Sequence, residues 1–365
     1  MSKIITLDSL EMESLASPSA IKLEMPAQAH HIEFIQESRR HIANILDGSD
    51  NRLLLIVGPC SIHDNKAAME YATKLRNLME DVSKSFFIIM RTYFEKPRTA
   101  LGWKGMLYDP HMDGSNDIAT GIRHARQLLL DLANMKVPAA TEFLDPISSR
   151  FLSDLVSWSC IGARTTESQI HRQLASGLPM PVAFKNNTSG NINVAVKGVS
   201  TAACPHAFFG IDDSGHTSIV RTKGNIHAHI ALRGGENGPN FDSQSIKKAL
   251  ELLRKNHLPE RLIIDCSHDN SNRCHDEQKS VFDSVLQQHL NGNTAIRGLA
   301  LESNLFSGSQ RMPLDASRLQ YGVSITDPCL DWGQTEALIH RNASLIESKR
   351  EQAIAEPMTN DAWAK

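Results

Sequence analysis

Aromatic residues are scarce in this chain. They make up 5% of its 365 residues, whereas alanine, valine, isoleucine and leucine dominate the apolar runs. Such runs suit parallel β-strands that helices cover on the outside. Cysteines are also few: the six are scattered and lack the dense spacing of a small secreted domain stapled by disulfides, so we expect a reducing compartment.

The chain also lacks a strong net charge and a long apolar run. Its formal charge of -3 and pI near 6.6 give no global basic field, so we expect no nucleic-acid partner. No run approaches the roughly 18 apolar residues that span a bilayer. The N-terminus carries Asp8, Glu11 and Glu13 and has no basic-then-apolar signal segment. We therefore expect a cytoplasmic protein with no membrane partner.

The chain divides into three parts by pattern, although length alone does not separate one large domain from two. Residues 1–50 do not join the repeat that follows them. We interpret them as an N-terminal extension that packs outside the main domain or on a partner subunit. Residues 51–350 form the predicted main domain, and residues 351–365 form a C-terminal tail.

A pattern of apolar strand, polar residue and helix recurs along residues 51–350. Eight such strands are predicted, in LLLIVGPC, FFIIMR, VPAATE, residues 155–161, PVAFK, HIALR, RLIIDCSH and AIRGLALE. Before the sixth, AFFGI and TSIVRT flank a turn and predict an inserted β-hairpin. Eight strands alternating with helices predict an α/β protein with a closed (β/α)8 TIM barrel.

Polar side chains stand where the predicted strands end, and in this fold the active site lies at those carboxyl ends. The ends carry Cys60, Arg91, Glu142, Arg164, Lys185, Arg233, His268 and Glu302. A single arginine after a strand is usually a solvated rim residue, but cations at four of eight ends make that interpretation poor. Such cations would repel one another without a polyanion between them, so we expect a substrate with phosphate and carboxylate groups.

A thiol, an imidazole and a carboxylate among these strand ends suggest a divalent metal site. Cys60, His268 and Glu302 supply them, and Asp327 in the loop after the eighth strand is a fourth candidate. Mixed sulfur, nitrogen and oxygen ligands suit manganese, iron, zinc or cobalt and do not choose among them. Cys60 alone is more often a small buried hydrophobe, and on spacing alone Cys266 competes with it as a ligand.

Seven motifs are specific in combination. They are GPCSIHD at 58–64, RTYFEKPRT at 91–99, GWKG at 102–105, IGARTTESQIHR at 161–172, LRGG at 232–235, CSHDNSN at 266–272 and SITDPC at 324–329. Together they closely resemble 3-deoxy-D-arabino-heptulosonate 7-phosphate synthases of the type I alpha, microbial kind. The resemblance covers nearly the whole chain from Arg52 to Ile339.

The resemblance implies a metal-dependent condensation of phosphoenolpyruvate with erythrose 4-phosphate, the entry step of the shikimate pathway to aromatic amino acids. By motif, the implied metal ligands are Cys60, His268, Glu302 and Asp327, and Cys266 is then not a ligand. The implied phosphoenolpyruvate residues are Arg91, Lys96, Arg164, Lys185 and Arg233, with Gly162, Ala163 and Glu142 nearby. Arg98 and Thr99 match the residues that hold the aldose phosphate.

The types of group suggest roles for these residues. We expect Lys96 to act as general acid toward the developing alkoxide and Glu142 to orient the attacking water. His268 and Asp327 join them in the expected catalytic set, because the metal that they hold would activate the aldehyde.

Two loops depart from the pattern of the resembled family. Asn187 and Asp269 stand where that family usually has glycine. Asparagine and aspartate are the residues that best tolerate a positive φ, so we expect both loops to keep their shape.

The resemblance also implies feedback by an aromatic amino acid bound away from the active site, beside the inserted hairpin and a neighbouring subunit's N-terminal extension. Gly210 would leave room for a phenol, so tyrosine is the expected effector. Ser149 and Arg150 stand where the family often has Pro-Gln, and Pro179 replaces a serine hydroxyl donor. We therefore expect weakened or absent feedback.

Two other functions compete with an active synthase of this kind. One is a related barrel synthase that uses arabinose 5-phosphate, against which the KPRT motif and the N-terminal extension argue. The other is a non-catalytic regulatory or scaffold paralogue, against which the complete set of ligands and cations argues. We expect a homodimer or a homotetramer.

Overall fold

The computed structural model describes residues 12–98, 100–313 and 316–355. Its β-strands occupy the runs of branched apolar residues named above, together with the hairpin. They are β1 (Leu53–Gly58), β2 (Phe86–Arg91), β3 (Ala139–Glu142), β4 (Trp158–Ile161), β5 (Val182–Lys185), β6 (Ala207–Ile211), β7 (Thr217–Arg221), β8 (His229–Leu232), β9 (Leu262–Asp265) and β10 (Ile296–Glu302).

Helices precede the barrel and connect its strands. The α-helices are α1 (Pro18–Glu24), α2 (Ala29–Asp47), α3 (Asn65–Asp81), α4 (Ile118–Asn134), α5 (Ser149–Leu152), α6 (Gln169–Gly177), α7 (Ile192–Ala202), α8 (Ser243–Lys255), α9 (Gln278–Leu290) and α10 (Trp332–Ala355). Short 3-10 helices occupy Ser153–Leu155, His268–Ser271, His275–Glu277 and Ala316–Arg318. No helix in the part of the chain described is both long and apolar enough to cross a membrane.

Eight of the strands close into a parallel barrel. Around the barrel their order is β1, β10, β9, β8, β5, β4, β3 and β2, so the predicted (β/α)8 fold is confirmed. The pairing of Gly58 with Glu302 brings the end of β1 beside the end of β10. This register places Cys60, two residues after β1, next to the Glu302 carboxylate.

Helix boundaries follow local capping. The Asp64 side chain accepts hydrogen bonds from the backbone N–H groups of Lys66 and Ala67 and so begins α3. The sequence alone suggests Ser243 as the cap of α8, but Asp242 makes these bonds and Ser243 is the first helical residue. Asp242 wins because its carboxylate reaches the N–H groups of both Gln244 and Ser245.

The inside of the barrel is a separate apolar core, and α2 closes it at the end where the strands begin. Every second residue of a strand points inward, as with Leu54 and Ile56 on β1. Ile42, Ile45 and Leu46 of α2 are fully buried in the same cluster. Part of the N-terminal extension therefore shares the barrel's core and does not lie only on its outer surface.

The inserted hairpin lies outside the barrel as a two-stranded antiparallel sheet of β6 and β7. At its turn the Asp212 carboxylate accepts hydrogen bonds from the N–H groups of Ser214 and His216. The turn also contacts the start of α1, where the Ser19 N–H donates to the Asp213 carbonyl at 2.7 Å. This contact ties the N-terminal segment to the hairpin of the same chain.

Candidate active site at the carboxyl end of the barrel

A layer of charged side chains lies next to the apolar core, toward the carboxyl ends of the strands. It arises because every second residue of a strand points into the barrel. The inward residue of a strand is small or apolar at one position and ionisable two positions later. The resulting pairs are Ile89 with Arg91, Ala140 with Glu142, Ala183 with Lys185, Ala231 with Arg233, Ile263 with Asp265, and Ala300 with Glu302.

We call the carboxyl end of the barrel the mouth. Three of the four expected metal ligands converge there. The ligand atoms of Cys60, Glu302 and Asp327 all lie within 4.8 Å of one another, and the Cys60 Sγ is 3.9 Å from the Asp327 Oδ2. The hydroxyls of Ser61 and Thr326 are 2.8 Å apart. That bond fastens the loop that carries Asp327 to the loop that carries Cys60.

His268, the fourth expected ligand, lies beside this group. Its Nε2 is 3.7 Å from the Glu302 Oε1, and its Nδ1 is 3.0 Å from the Asp265 Oδ2 without hydrogen-bond alignment. Its backbone has a positive φ of 56°, which turns the chain back over the mouth just after β9. Cys266 is buried in the core between the strands and the helices, away from these ligands.

The Glu302 carboxylate is fully buried, yet it is held as an anion. Burial opposes its ionisation, but His268, Arg91 and Lys96 outweigh burial and lower its pKa to about 2. Its Oε1 accepts a hydrogen bond from the Arg91 Nη2 at 2.9 Å, and its Oε2 accepts one from the Ser267 hydroxyl at 2.6 Å. A charged carboxylate is therefore ready for a cation at the mouth.

Carboxylates of the chain itself offset the repulsion among these cations. The expectation that a substrate polyanion is needed for this is therefore wrong. Lys185 lies 2.8 Å from Asp265, and Arg233 forms an ion pair with Asp269. Arg91 pairs with Glu302 as described above. Asp265 was missed although it was detectable: counting by two from the inward Ile263 leads to it.

Lys96 reaches the metal-ligand group from the loop after β2. Its Nζ donates to the Cys60 carbonyl at 2.9 Å and lies 3.3 Å from the Cys60 Sγ. Burial opposes its charge, but Cys60, Glu302 and Asp327 outweigh burial and raise its pKa. Lys96 is accordingly an ammonium group that can donate a proton or a hydrogen bond at this point.

Glu142 and Gly162 fit each other closely at the ends of β3 and β4. A Cβ at position 162 would lie 2.0 Å from the Glu142 Oε1, so only glycine leaves room for this carboxylate. That oxygen is buried and has no hydrogen-bond partner among the residues that the structure describes, which suits it as an acceptor for a bound molecule. Ala163 and Arg164 follow on the turn after β4, half-buried and exposed respectively.

The residues expected to bind the sugar lie at the outer edge of the mouth. Arg98 is exposed, and its Nε donates to the Trp103 carbonyl at 2.7 Å, so it lies along its own loop. Thr99 lies outside the described residues.

The four expected effector residues come together away from the mouth. Ser149, Arg150, Pro179 and Gly210 line one cavity of about 310 Å³ between α5, α6 and the hairpin. At its edge the Arg150 Nη2 lies 2.8 Å from the Asp213 carboxylate. The Ser149 hydroxyl donates to the Pro146 carbonyl at 2.7 Å.

The explanation offered for the two replaced glycines is wrong. Neither Asn187 nor Asp269 has a positive φ, and among the non-glycine residues near the site that conformation belongs to His268, Asn272 and Arg273. The Asp269 side chain instead has an electrostatic consequence, since it contacts both Arg233 and Arg273.

These residues fit a divalent metal ion. The convergent donor set combines a thiol with two carboxylates, and an imidazole lies alongside. Burial, with Glu302 beside it, raises the pKa of the Cys60 thiol to about 11. A metal ion that bound here would have to displace that proton.

Comparison with known proteins gives one consistent result. The model of the DAHP synthetase I family matches residues 24–340. A tyrosine-sensitive phospho-2-dehydro-3-deoxyheptonate aldolase of Salmonella typhimurium is 46% identical over 333 residues, which is 90% of this chain and 93% of the relative. A tryptophan-sensitive one of Escherichia coli is 45% identical over 349 residues, which is 96% of this chain and 100% of the relative.

A solved structure agrees with these relatives. The phospho-2-dehydro-3-deoxyheptonate aldolase of Francisella tularensis superimposes with a TM-score of 0.90 at 43% identity and covers 93% of this chain and 99% of its own. Both the sequence and the architecture of this chain therefore match the same group of enzymes. The chain belongs to the DAHP synthetase I family.

Proposed function

We propose that this protein condenses phosphoenolpyruvate with D-erythrose 4-phosphate and water to give 3-deoxy-D-arabino-heptulosonate 7-phosphate and phosphate. The observation that carries the proposal is the convergence of Cys60, Glu302 and Asp327 beside the Lys96 ammonium. Around them lie cations that suit an anionic substrate. Family membership supports the same reaction class.

Phosphoenolpyruvate would be held by the cations of the mouth. Arg91 and Lys185 are buried side chains whose carboxylate partners hold them in place. Arg233 is buried beside Asp269, and Arg164 follows on the turn after β4. Guanidinium groups can bind phosphate or carboxylate through two parallel hydrogen bonds. Arg98 and Thr99 would hold the sugar phosphate at the outer edge.

The metal site would consist of Cys60, His268, Glu302 and Asp327. When bound there, a divalent ion would polarise the aldehyde oxygen of the sugar. Manganese, iron, cobalt and zinc all suit the donor set, and we propose no choice among them.

The remaining chemistry falls to groups of the chain. The methylene carbon of phosphoenolpyruvate forms a bond to the aldehyde carbon, and Lys96 donates a proton to the resulting alkoxide. Water then adds to the second carbon of phosphoenolpyruvate, with Glu142 Oε1 accepting one of its hydrogen bonds. Phosphate then leaves by cleavage of the carbon–oxygen bond as the added hydroxyl becomes the ketone. Of the two protons that the water loses, one returns to Lys96 and the other goes to the departing phosphate. Lys96 is protonated before it donates to the alkoxide, because Cys60, Glu302 and Asp327 outweigh burial and raise its pKa.

The test is an assay of phosphoenolpyruvate consumption with erythrose 4-phosphate and, separately, with arabinose 5-phosphate. We expect turnover with the four-carbon sugar only, its loss after chelation, and its return with added manganese. Turnover with arabinose 5-phosphate alone would support the related synthase. No turnover with either sugar in metal-loaded protein would support a non-catalytic paralogue.

We propose further that tyrosine is the effector and that feedback by it is weak. Gly210 leaves space in the cavity between α5, α6 and the hairpin, because a Cβ there would lie 2.6 Å from a Val220 methyl. Pro179 offers no hydroxyl donor to a bound amino acid. The similar proteins include both tyrosine- and tryptophan-sensitive enzymes, so the relatives alone do not choose the effector.

Titration of each aromatic amino acid against initial rate tests this proposal. A matched variant, Pro179→Ser, restores a hydroxyl to the cavity wall. One hydrogen bond to a charged ligand is worth ~1.5–3 kcal/mol, so we expect inhibition by tyrosine to tighten about ten- to a hundredfold. Tight inhibition of the unmodified protein by phenylalanine or tryptophan would contradict the proposal.

Assembly as a homodimer or a homotetramer remains part of the proposal. The side chains of Phe209 and Ile219 form a cross-strand pair on the hairpin and are 89% and 66% exposed. An apolar pair of this kind suits contact with another subunit.

A further inference from the structure

A second charged cavity lies at the opposite end of the barrel, where the strands begin. Its volume is about 430 Å³. Leu53 at the start of β1, Ile296 at the start of β10, Leu290 at the end of α9 and Ile346 of α10 line it. The same two strands carry the candidate active site at their other ends, so the two sites are separate.

Among the described residues, the cavity is lined by cations and by no carboxylate. The cations are Arg52, Arg297, Lys349 and Arg350. In the part of the chain that the structure describes, Arg52 alone among them has a carboxylate within 4.0 Å, namely Asp50 at 2.6 Å. The net charge of the chain is -3, so this cluster does not reflect a generally basic protein.

Arg350 is held in position without neutralisation of its charge. Its Nη1 donates to the Lys84 carbonyl at 2.7 Å, and its Nη2 donates to the Asn51 carbonyl at 2.5 Å. Main-chain carbonyls fix the guanidinium group at the edge of the cavity, but they carry no formal charge to offset it.

Arg297 is held by packing. Its guanidinium lies against Gly48, where a Cβ would be 2.6 Å from the Nη2. Its Nε is buried and has no hydrogen-bond partner in the described part of the chain. Burial and the nearby charge of Arg261 lower the pKa of Arg297. The nearest opposing charge, Asp47, is already paired with Arg261 at 2.5 Å.

We propose that this cavity binds a small phosphorylated molecule that carries at least two negative charges. The guanidinium groups of Arg297 and Arg350 and the ammonium group of Lys349 would offset such a charge. Guanidinium groups also match the geometry of phosphate oxygens. A volume of about 430 Å³ exceeds one phosphate group and falls in the usual range of small-molecule sites, about 300–1,000 Å³. Leu53, Leu290 and Ile346 provide apolar contacts for the rest of the molecule.

Calorimetric titration with inorganic pyrophosphate tests the proposal. The titration is run with one equivalent of phosphoenolpyruvate per chain, which fills an active site of the proposed kind without an excess that would compete for the cavity. We expect one pyrophosphate per chain and a higher melting temperature, because the ligand would bridge α10 and the starts of two strands. The double variant R297Q/K349Q should bind pyrophosphate at least about tenfold more weakly and keep its turnover.

Two further variants keep the outcome decisive. Lys349→Gln alters an exposed side chain, so we expect the fold to be kept, yet it should still weaken binding. Arg297→Lys retains the charge and should preserve most of the affinity. Equal binding by R297Q/K349Q and the unmodified protein would overturn the proposal. Loss of binding in Arg164→Ala would also overturn it, because it would place pyrophosphate at the mouth of the barrel.

Discussion

At the scale of single residues, the chemistry of the mouth depends on which charges are already paired. Asp269 is the residue with the largest unexpected effect. Its side chain is 15% exposed and contacts Arg233, whose side chain is 5% exposed, and it lies 2.9 Å from the Arg273 Nε. A carboxylate in this place competes with an anionic substrate for the Arg233 guanidinium.

Removing that carboxylate should strengthen substrate binding. We expect Asp269→Ala to lower the KM for phosphoenolpyruvate about fivefold, equivalent to ~1 kcal/mol, and to leave the KM for erythrose 4-phosphate unchanged. Steady-state kinetics with each substrate varied in turn would measure both constants. Asp276→Ala, which removes an exposed carboxylate paired with Lys279, is the control. A higher KM for phosphoenolpyruvate in Asp269→Ala would show that Asp269 positions Arg233 for binding.

Cys60 gives a second prediction at this scale. Burial raises the pKa of its thiol to about 11, and only the thiolate binds a metal ion. Apparent metal affinity should therefore fall up to about tenfold for each unit by which the pH is lowered between about pH 8 and pH 6. Zinc titrations across this range would measure the slope.

Cys60→Ser provides the comparison for those titrations. The variant should bind zinc far more weakly, because a hydroxyl is a much poorer ligand than a thiolate, and its affinity should depend less on pH by about one proton. Equal slopes for the two proteins would show that the proton is not released from Cys60.

At the scale of elements, the positions of the strands were predictable from the sequence. The ion-pair partners of the side chains at the strand ends were not. Runs of branched apolar residues indicated β1 to β5 and β8 to β10, and alternating residues around a turn indicated the hairpin. The ionisable strand ends were also visible. The pairing of Arg233 with Asp269 could not be deduced, because it depends on how the loops after β8 and β9 fold against each other.

Loop contacts show the same limit elsewhere. Glu95, on the loop after β2, accepts hydrogen bonds from the backbone N–H groups of Leu144 and Asp145 and from the Ser148 hydroxyl. It thereby joins the loop that carries Lys96 to the segment that leads into the cavity between α5, α6 and the hairpin. No sequence pattern marks Glu95, since its partners belong to another loop.

The ionisation of Glu95 should affect stability. Burial raises the pKa of Glu95 to about 8, and hydrogen bonds from Ser148 and the backbone only partly oppose this. Because the folded pKa lies above the unfolded one, the protonated group favours the folded state at low pH, and this contribution is lost as the pH rises through about 8. Its size is on the order of a few kcal/mol.

Glu95→Gln should remove that pH dependence in part. We expect the melting temperature of the unmodified protein to fall more steeply than that of the variant between about pH 5 and pH 9. Glu277→Gln, at an exposed glutamate, should behave like the unmodified protein. Parallel curves for Glu95→Gln and the unmodified protein would mean that Glu95 is ionised throughout this range.

At the scale of the whole molecule, the barrel is closed at one end and carries the candidate active site at the other. α2 supplies the closure: the Arg39 Nε and Nη2 donate to the Val156 carbonyl at 3.0 and 2.7 Å, and the Nη2 also donates to the Ser153 carbonyl at 2.6 Å. The sequence identified α2 as a helix. It did not show that its apolar face lies under the barrel, because an amphipathic helix can cover any apolar surface.

The last prediction tests this closure. Ile45 is fully buried among the inward residues of the barrel, whereas Ile32 on the same helix is 44% exposed. Ile45→Ala should lower the free energy of unfolding by about 2–5 kcal/mol, since it leaves a cavity in a closely packed core. Ile32→Ala, the matched control, should change it by less than ~0.5 kcal/mol. Denaturant unfolding followed by circular dichroism would measure both. Similar losses for the two variants would mean that α2 does not seal the barrel core in solution and that residues 1–50 behave as a separate extension.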